Sequence, residues 1–290
     1  MTDPKHIAFN NQIKPNAGFD IVPLQELMNR KLMDHQIDKL HLVEFFILIV
    51  ITDGSGQHTI DFTTYDCKKG SVLTVRKDQI HRFHKESNMD GLLIMFTDDF
   101  LVSYLEKLAA QRSLQLFNEQ LGLPQINLKQ DSYNDFSETV SKISKEYYDV
   151  DDEYTLGIIR SSLHILLTKL YRIKSKSEQS FQGKKYLKEF IKFQNLVELE
   201  CERTRKVSDY AKMMAISSKT LNTITREIVH ISAKNFIDDI CIKQIKRQLI
   251  NTDLTVNEIA YATGFEETTN FYKYFKRLVQ STPEQFRLTH

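Results

Sequence analysis

This chain of 290 residues has little of what usually gives a function away. Its three cysteines, Cys67, Cys201 and Cys241, follow no pairing pattern and no metal-ligand spacing such as C-x-x-C, which excludes a disulfide scaffold and points to a reducing compartment. There is no phosphate-cradling glycine loop and no nucleophile elbow, and the strand-rich region holds no His-x-His pair. No catalytic residues, no metal and no cofactor are therefore expected. The longest apolar run, Phe45–Ile51, is too short to span a bilayer, and Met-Thr-Asp-Pro-Lys-His-Ile at the start is not a charged-then-apolar leader. The expectation is a soluble, cytoplasmic protein without membrane contact. A formal charge of +1 offers no strong field, but it hides an asymmetry. From Lys184 onward there are 18 Lys/Arg against 13 Asp/Glu, and the excess is acidic before that point. A mildly basic C-terminal part suits a region that approaches phosphates.

What is present is a helical device written twice in the last hundred residues. In the second copy, Thr-Val-Asn-Glu-Ile-Ala-Tyr-Ala-Thr-Gly-Phe (255–265) is a short helix broken at Gly264. After the break, Phe271, Phe275, Leu278 and Val279 share one face of a second helix. A short helix, a turn and a second helix make a helix-turn-helix. The first copy places Val207, Tyr210, Ala211 and Met214 on one face, turns without a glycine at Ala215-Ile216-Ser217, and restarts with Ser217 as N-cap. One copy alone is also how a helical hairpin in an ordinary bundle reads. Duplication at a spacing of roughly 48 residues favours nucleic acid. The helix Ser232–Asn251 between the copies, with Ile237, Cys241, Ile245 and Leu249 stepping by four, would fix their distance and angle. Tyr186–Glu202 is helical, and Thr282-Pro283 starts a last helix with proline at its first position.

Strands are expected from His41 to Phe96. His41–Thr52 is β-branched and aromatic and ends at the turn signal Asp53-Gly-Ser-Gly56. Gln57–Phe62, Ser71–Arg76, His81–Lys85 and Gly91–Phe96 follow, with Tyr65–Gly70 and Lys77–Gln79 as connections. Short strands at this spacing imply a small barrel or jelly roll. Helices are predicted over Pro23–Lys31 and Asp98–Ala110. Leu156, Ile159, Leu163, Leu166 and Leu170 form a heptad-like stripe, which by itself reads as a helix packed on its own barrel; Ile158, Ile165 and Leu167 add a second apolar side, which predicts a homodimer contact on the same helix. The polar run Arg172–Gln182 reads as a linker.

The whole arrangement resembles the AraC/XylS family of bacterial transcription regulators. The resemblance is carried by Glu258–Phe265, Phe271–Arg277 and Ser281–Arg287 at the C-terminus, and by Gly54–Asp61, Lys69–Leu73 and Gln79–Phe83 in the strand-rich part. Two positions depart from the pattern: Thr225 stands where the first recognition helix usually has an aromatic, and His230 where a glycine usually follows. The implied fold is α+β with two domains, a cupin-like β-barrel with flanking helices and an all-α double helix-turn-helix domain. The expected division is residues 1–175 for effector binding and dimerisation, 176–184 for the linker and 185–290 for DNA binding. A recognition helix reads bases from its N-terminal half, opposite its apolar stripe. That geometry selects Thr268, Thr269, Asn270 and Lys273 in the second unit and, with the resemblance, Lys219, Asn222 and Thr223 in the first. Arg226, Lys276 and Arg277 lie further along, as phosphate contacts or ordinary surface charges. In the barrel, His41, Phe45, Arg76, Gln79, His81 and Phe83 fall where such domains line a pocket, although Phe45 and Phe83 read more simply as core. Double-stranded DNA and a small-molecule effector are the expected partners, with RNA polymerase a further candidate. The competing reading is a small-molecule-binding or enzymatic cupin whose helical tail serves protein contacts.

Overall fold

The computed structural model describes residues 6–11, 13–15, 17–29, 37–84, 87–102, 115–118, 121–177 and 185–289. Two units emerge, one carrying residues 5–180 and the other 181–290. The first holds strands β1 (His6–Ile7), β2 (Phe19–Pro23), β3 (His41–Val43), β4 (Phe46–Asp53), β5 (Ser55–Ile60), β6 (Thr63–Lys68), β7 (Ser71–Val75), β8 (Ile80–Phe83), β9 (Asp90–Phe96) and β10 (Gln125–Asn127). Among them lie helices α1 (Leu24–Asn29), α2 (Asp98–Val102), α3 (Gln130–Asp149) and α4 (Thr155–Ser177). The strands make two sheets, in the orders β1-β3-β8-β5-β6 and β10-β7-β4-β9-β2. Every pairing is antiparallel except β1 with β3.

Alternation along β4 explains the layers. Ile47, Ile49 and Ile51 face a core shared with Val43, Ile60 and Phe83 of the first sheet. Phe46, Leu48 and Val50 face the helices, packing with Phe136, Val140 and Ile143 of α3 and Ile159, Leu163, Leu166 and Leu170 of α4. β4 is buried on both sides, hence its near-continuous apolar run.

Several expectations need correction. The single strand predicted over His41–Thr52 is two, because the chain changes sheets at exposed Glu44: β3 pairs with β8, while β4 pairs with β7 and β9. Residues Tyr65–Lys68, read as a connection, belong to edge strand β6, paired with β5 from Ser55↔Lys68 to Ile60↔Thr63. Most of its residues are exposed or half-buried, so the apolar alternation that betrays a strand is missing. Helix α3 adds to the expected elements; its buried Phe136, Val140, Ile143 and Tyr147 step by 4, 3 and 4. Helix α4 runs through Arg172–Ser177, part of the run read as linker; Ile173 packs on the core and the Lys174 ammonium donates to the Leu116 carbonyl at 3.1 Å. The supposed second apolar side of α4 is also smaller than expected. Leu167 is fully buried, whereas Ile158 and Ile165 are about half exposed. The later parts of the predicted helices 23–31 and 98–110, Lys85, and linker residues 178–184 lie outside the described residues.

The second unit contains α5 (Leu187–Glu200), α6 (Val207–Met213), α7 (Ser218–Val229), α8 (Ala233–Asn251), α9 (Val256–Ala262), α10 (Thr268–Val279) and α11 (Pro283–Thr289). Their starts are written in side chains. Ser217 accepts from Thr220 N at 3.0 Å, Ser232 from Asn235 N at 3.1 Å and Thr282 from Gln285 N at 3.2 Å. Thr255 and Glu258 form a reciprocal capping box, and those bonds hold the Glu258 carboxyl below its ordinary range.

Candidate nucleic-acid interface and barrel interior

The helical pairs α6–α7 and α9–α10 are two turns of one design. Ala215 and Gly264 both take left-handed backbone, at φ 56° and 78°, and the residue after each donates to the carbonyl five back, Ile216 to Ala211 and Phe265 to Ala260, both at 3.0 Å. The turn without a glycine is therefore the same turn with alanine forced into it. Each second helix ends on another left-handed residue, His230 at φ 60° and Gln280 at 61°, fifty positions apart.

Burial separates packing residues from presented ones. In α10, Phe271 and Phe275 are fully buried, while Thr269, Asn270, Lys273 and Lys276 are exposed and Thr268 is half-buried. In α7, Leu221, Ile224, Thr225 and Ile228 are buried, and Lys219, Thr223 and Arg226 are exposed. Asn222 stands apart. Its amide nitrogen donates to the Ser218 carbonyl and its Oδ1 accepts from Ala233 N, both at 3.0 Å, so its side chain joins α7 to the start of α8. Arg277 is also engaged inside the unit, donating to Asp238 at 3.3 Å.

The two halves of the unit are stitched together through Asp238, Arg205 and Arg287, to which the sequence reading gives no individual role. Buried Asp238 of α8 receives Lys234 at 2.6 Å and the Tyr274 hydroxyl at 3.0 Å as well as Arg277. The Arg205 guanidinium lies 3.8 Å from the Phe265 ring centroid and donates to the Thr263 carbonyl, linking the segment before α6 to the second turn. Arg287 binds the Leu249 and Leu254 carbonyls, each at 2.7 Å, closing α11 on the end of α8.

In the first unit, the predicted pocket residues are mostly interior. Phe45 and Phe83 are core, Phe45 in edge contact with Phe9 at 5.5 Å. Gln79 is buried and organises a turn, accepting from Arg76 N at 2.7 Å and donating to Asp61 at 3.0 Å. Arg76 is half-buried. His41 and His81 are directly paired across β3 and β8, with ring centroids 4.2 Å apart. A third histidine joins them: His58 Nε2 lies 3.2 Å from His81 Nδ1. The three alternate in step with Val43, Ile60 and Phe83, so all point between the sheets. His58 shares its strand face with Ile60, a signal that could have found it. The contact with His81, however, depends on strand register. Burial, with His41 and His84 nearby, pushes the His58 pKa down to about 3, so it is a neutral imidazole. Its Nδ1 has no hydrogen-bond partner among the described residues. Among those residues no group of three or more His, Cys, Asp or Glu is placed to share a metal ion, and no helix is long and apolar enough to cross a membrane.

Comparison with known proteins agrees with both halves. Residues 23–178 match the AraC-like ligand binding domain, and residues 210–289 match a helix-turn-helix domain. The Msm operon regulatory protein of Streptococcus mutans is 23% identical over 254 residues, which cover 83% of this chain and 84% of that protein. The transcriptional activator RhaR of an Enterobacter species is 18% identical over 248 residues, covering 85% and 86%. Among solved structures, ToxT from Vibrio cholerae aligns over 93% of this chain and 97% of its own, at 14% identity and a TM-score of 0.46. With a ligand-binding domain of β-strands and helices followed by a doubled helix-turn-helix domain, this chain belongs to the AraC/XylS family of DNA-binding transcription regulators.

Proposed function

We propose that the regulator grips DNA through Lys219, Thr223 and Arg226 of α7 and through Thr268, Thr269, Asn270, Lys273 and Lys276 of α10. The observation that carries this is the division of α10, where phenylalanines 271 and 275 are buried and the Asn270–Lys273 side is bare. Asn can pair with adenine, Lys can donate to guanine, and Thr can meet a thymine methyl. Helix α8, 19 residues and so roughly 28 Å long, is of the right order to set two reading helices in successive major grooves about 34 Å apart. The barrel is read as a sensor without catalytic work, its ligand meeting His41, His58 and His81. An effector shifts the regulator only if it binds the DNA-gripping and released postures unequally. Ile158 and Ile165, two turns apart on α4, are read as a homodimer contact, in a protein that acts in the cytoplasm.

DNA retardation with the gene's own upstream region tests the grip. The expected result is a preference over random duplex of about 10³-fold or more and a steep fall of affinity with salt. Equal binding to both duplexes would remove the sequence-reading role.

A further inference from the structure

Away from the barrel interior, the first unit carries a cleft of about 640 Å³ where β10 and the start of α3 meet the last turns of α4. That volume lies in the range of small-molecule sites. Its floor is apolar: Ile126 and Phe136 are buried, Ile173 is partly so, and Leu123 stands 61% exposed at the rim. Its walls are cationic. Lys129, Lys169, Arg172 and Lys174 line it, Lys174 with its ammonium turned to the Leu116 carbonyl; Asp135 is the one carboxylate among the described lining residues, and Lys169 already holds it at 2.7 Å. Lys129 and Arg172 are exposed. Lys129 is also the N-cap position of α3, a 20-residue helix whose start receives no side-chain cap, so the positive end of its dipole adds to the same field.

We propose that this cleft binds a small organic anion with an apolar body, the acid group meeting Lys129 and Arg172 and the body covering Ile126, Phe136 and Ile173. A neutral apolar compound would gain nothing from the exposed charges of Lys129 and Arg172, and a bare inorganic anion would leave the floor wet. The assignment does not depend on the histidine-lined interior or on the DNA contacts proposed above. Residues 169–174 are the last turns of α4, and only residues 178–186 separate that helix from α5 in sequence. The cleft is thus in the part of the first unit closest in sequence to the DNA-reading half.

Calorimetric titration of the full chain tests the site with 3-phenylpropionate and phenyl phosphate as anionic probes and 3-phenylpropanamide as the neutral counterpart. At least one anion is expected to bind saturably, with the amide about tenfold weaker or worse. The surface double variant Lys129→Gln/Arg172→Gln is expected to lose about tenfold for that anion. A preference between the two anions tells a carboxylate site from a phosphate-ester site. Hydrogen exchange should show ligand protection in residues 125–133 and 169–177. No saturable binding of either anion, equal binding of the amide, an unaltered affinity in a folded double variant, or protection confined to β3, β5 and β8 would each overturn the proposal.

Discussion

The two reading units differ less in their turns than in what fills their cores. Fifty residues apart, Leu221 and Phe271 occupy one buried position, Thr225 and Phe275 the next, and Phe236 and Phe286 the following helix. The second unit closes on its own aromatics: Phe271 packs with Phe265 at 5.3 Å and with Phe275 at 6.1 Å, and Phe275 with Phe286 at 5.8 Å. In the first, Thr225 is fully buried and its hydroxyl donates to the Leu221 carbonyl at 2.8 Å. The missing aromatic bulk comes from outside the motif, where Phe190 and Phe193 of α5 pack on Phe236 at 5.0 and 5.3 Å. A threonine in place of an aromatic therefore does not leave the first unit loose. It makes that unit dependent on α5, the first helix after the inter-unit segment, whereas the second draws its aromatic core from its own Phe265, Phe271, Phe275 and Phe286.

The sharpest way to break this comparison is to truncate equivalent positions. Phe275→Ala removes a buried ring with aromatic neighbours on two sides and is expected to cost about 3–5 kcal/mol. Thr225→Ala removes one buried hydroxyl and a methyl and should cost about 1 kcal/mol. Urea unfolding of both variants measures the difference. Similar losses would mean that the second unit has no private aromatic core.

The turns offer the next contrast. A Cβ at Gly264 would lie 1.6 Å from the Glu202 carbonyl oxygen, on backbone that already favours glycine, so Gly264→Ala should cost about 3 kcal/mol or more. Ala215→Gly relieves left-handed strain while loosening the unfolded chain, and should stay within about 1 kcal/mol of the parent. Thermal melts of the pair suffice. If Gly264→Ala melts with the parent, the close approach to Glu202 is not there.

Which of these features could be read from the chain depended on whether their cause was local. Ser217, Ser232, Thr255 and Thr282 announce their helices because a cap acts within three residues. Periodicity likewise exposed α8 and the buried stripe of α4. The strand pair β5–β6, the change of sheet at Glu44 and the convergence of His58 on His81 are set by long-range register, to which a single sequence offers little guide. Asn222 shows the same limit: its position on the helix suits a base reader, while a bond that local pattern does not reveal, from Ala233 N eleven residues away, engages its oxygen. The compensation for Thr225 is equally hidden from local reading, because Phe190 and Phe193 lie more than thirty residues upstream.

Lys273 sharpens the comparison on the DNA side. It is exposed on α10, so Lys273→Ala should relax preference at one base pair by about 1–3 kcal/mol and leave the unfolding midpoint unchanged. Binding to an operator series with single substitutions reads this directly. Equal weakening on every duplex, random DNA included, would make Lys273 a phosphate contact instead.

Asn222 should behave in the opposite manner, with a smaller effect. Its side chain satisfies one of the otherwise unpaired backbone donors at the start of α8, and α8 carries Asp238, the residue on which Lys234, Tyr274 and Arg277 converge. Removing that link in Asn222→Ala is expected to cost about 1 kcal/mol of stability. It should weaken all operators alike, because the angle between the two readers loosens while no base loses its partner. Asn222→Ser cannot reach as far as asparagine, whereas Asn222→Asp keeps the accepting oxygen and should restore most of the stability. A selective loss at one adenine position in the alanine variant, with an unchanged unfolding midpoint, would return Asn222 to the base readers and would show that the joint between α7 and α8 does not depend on its bond to Ala233.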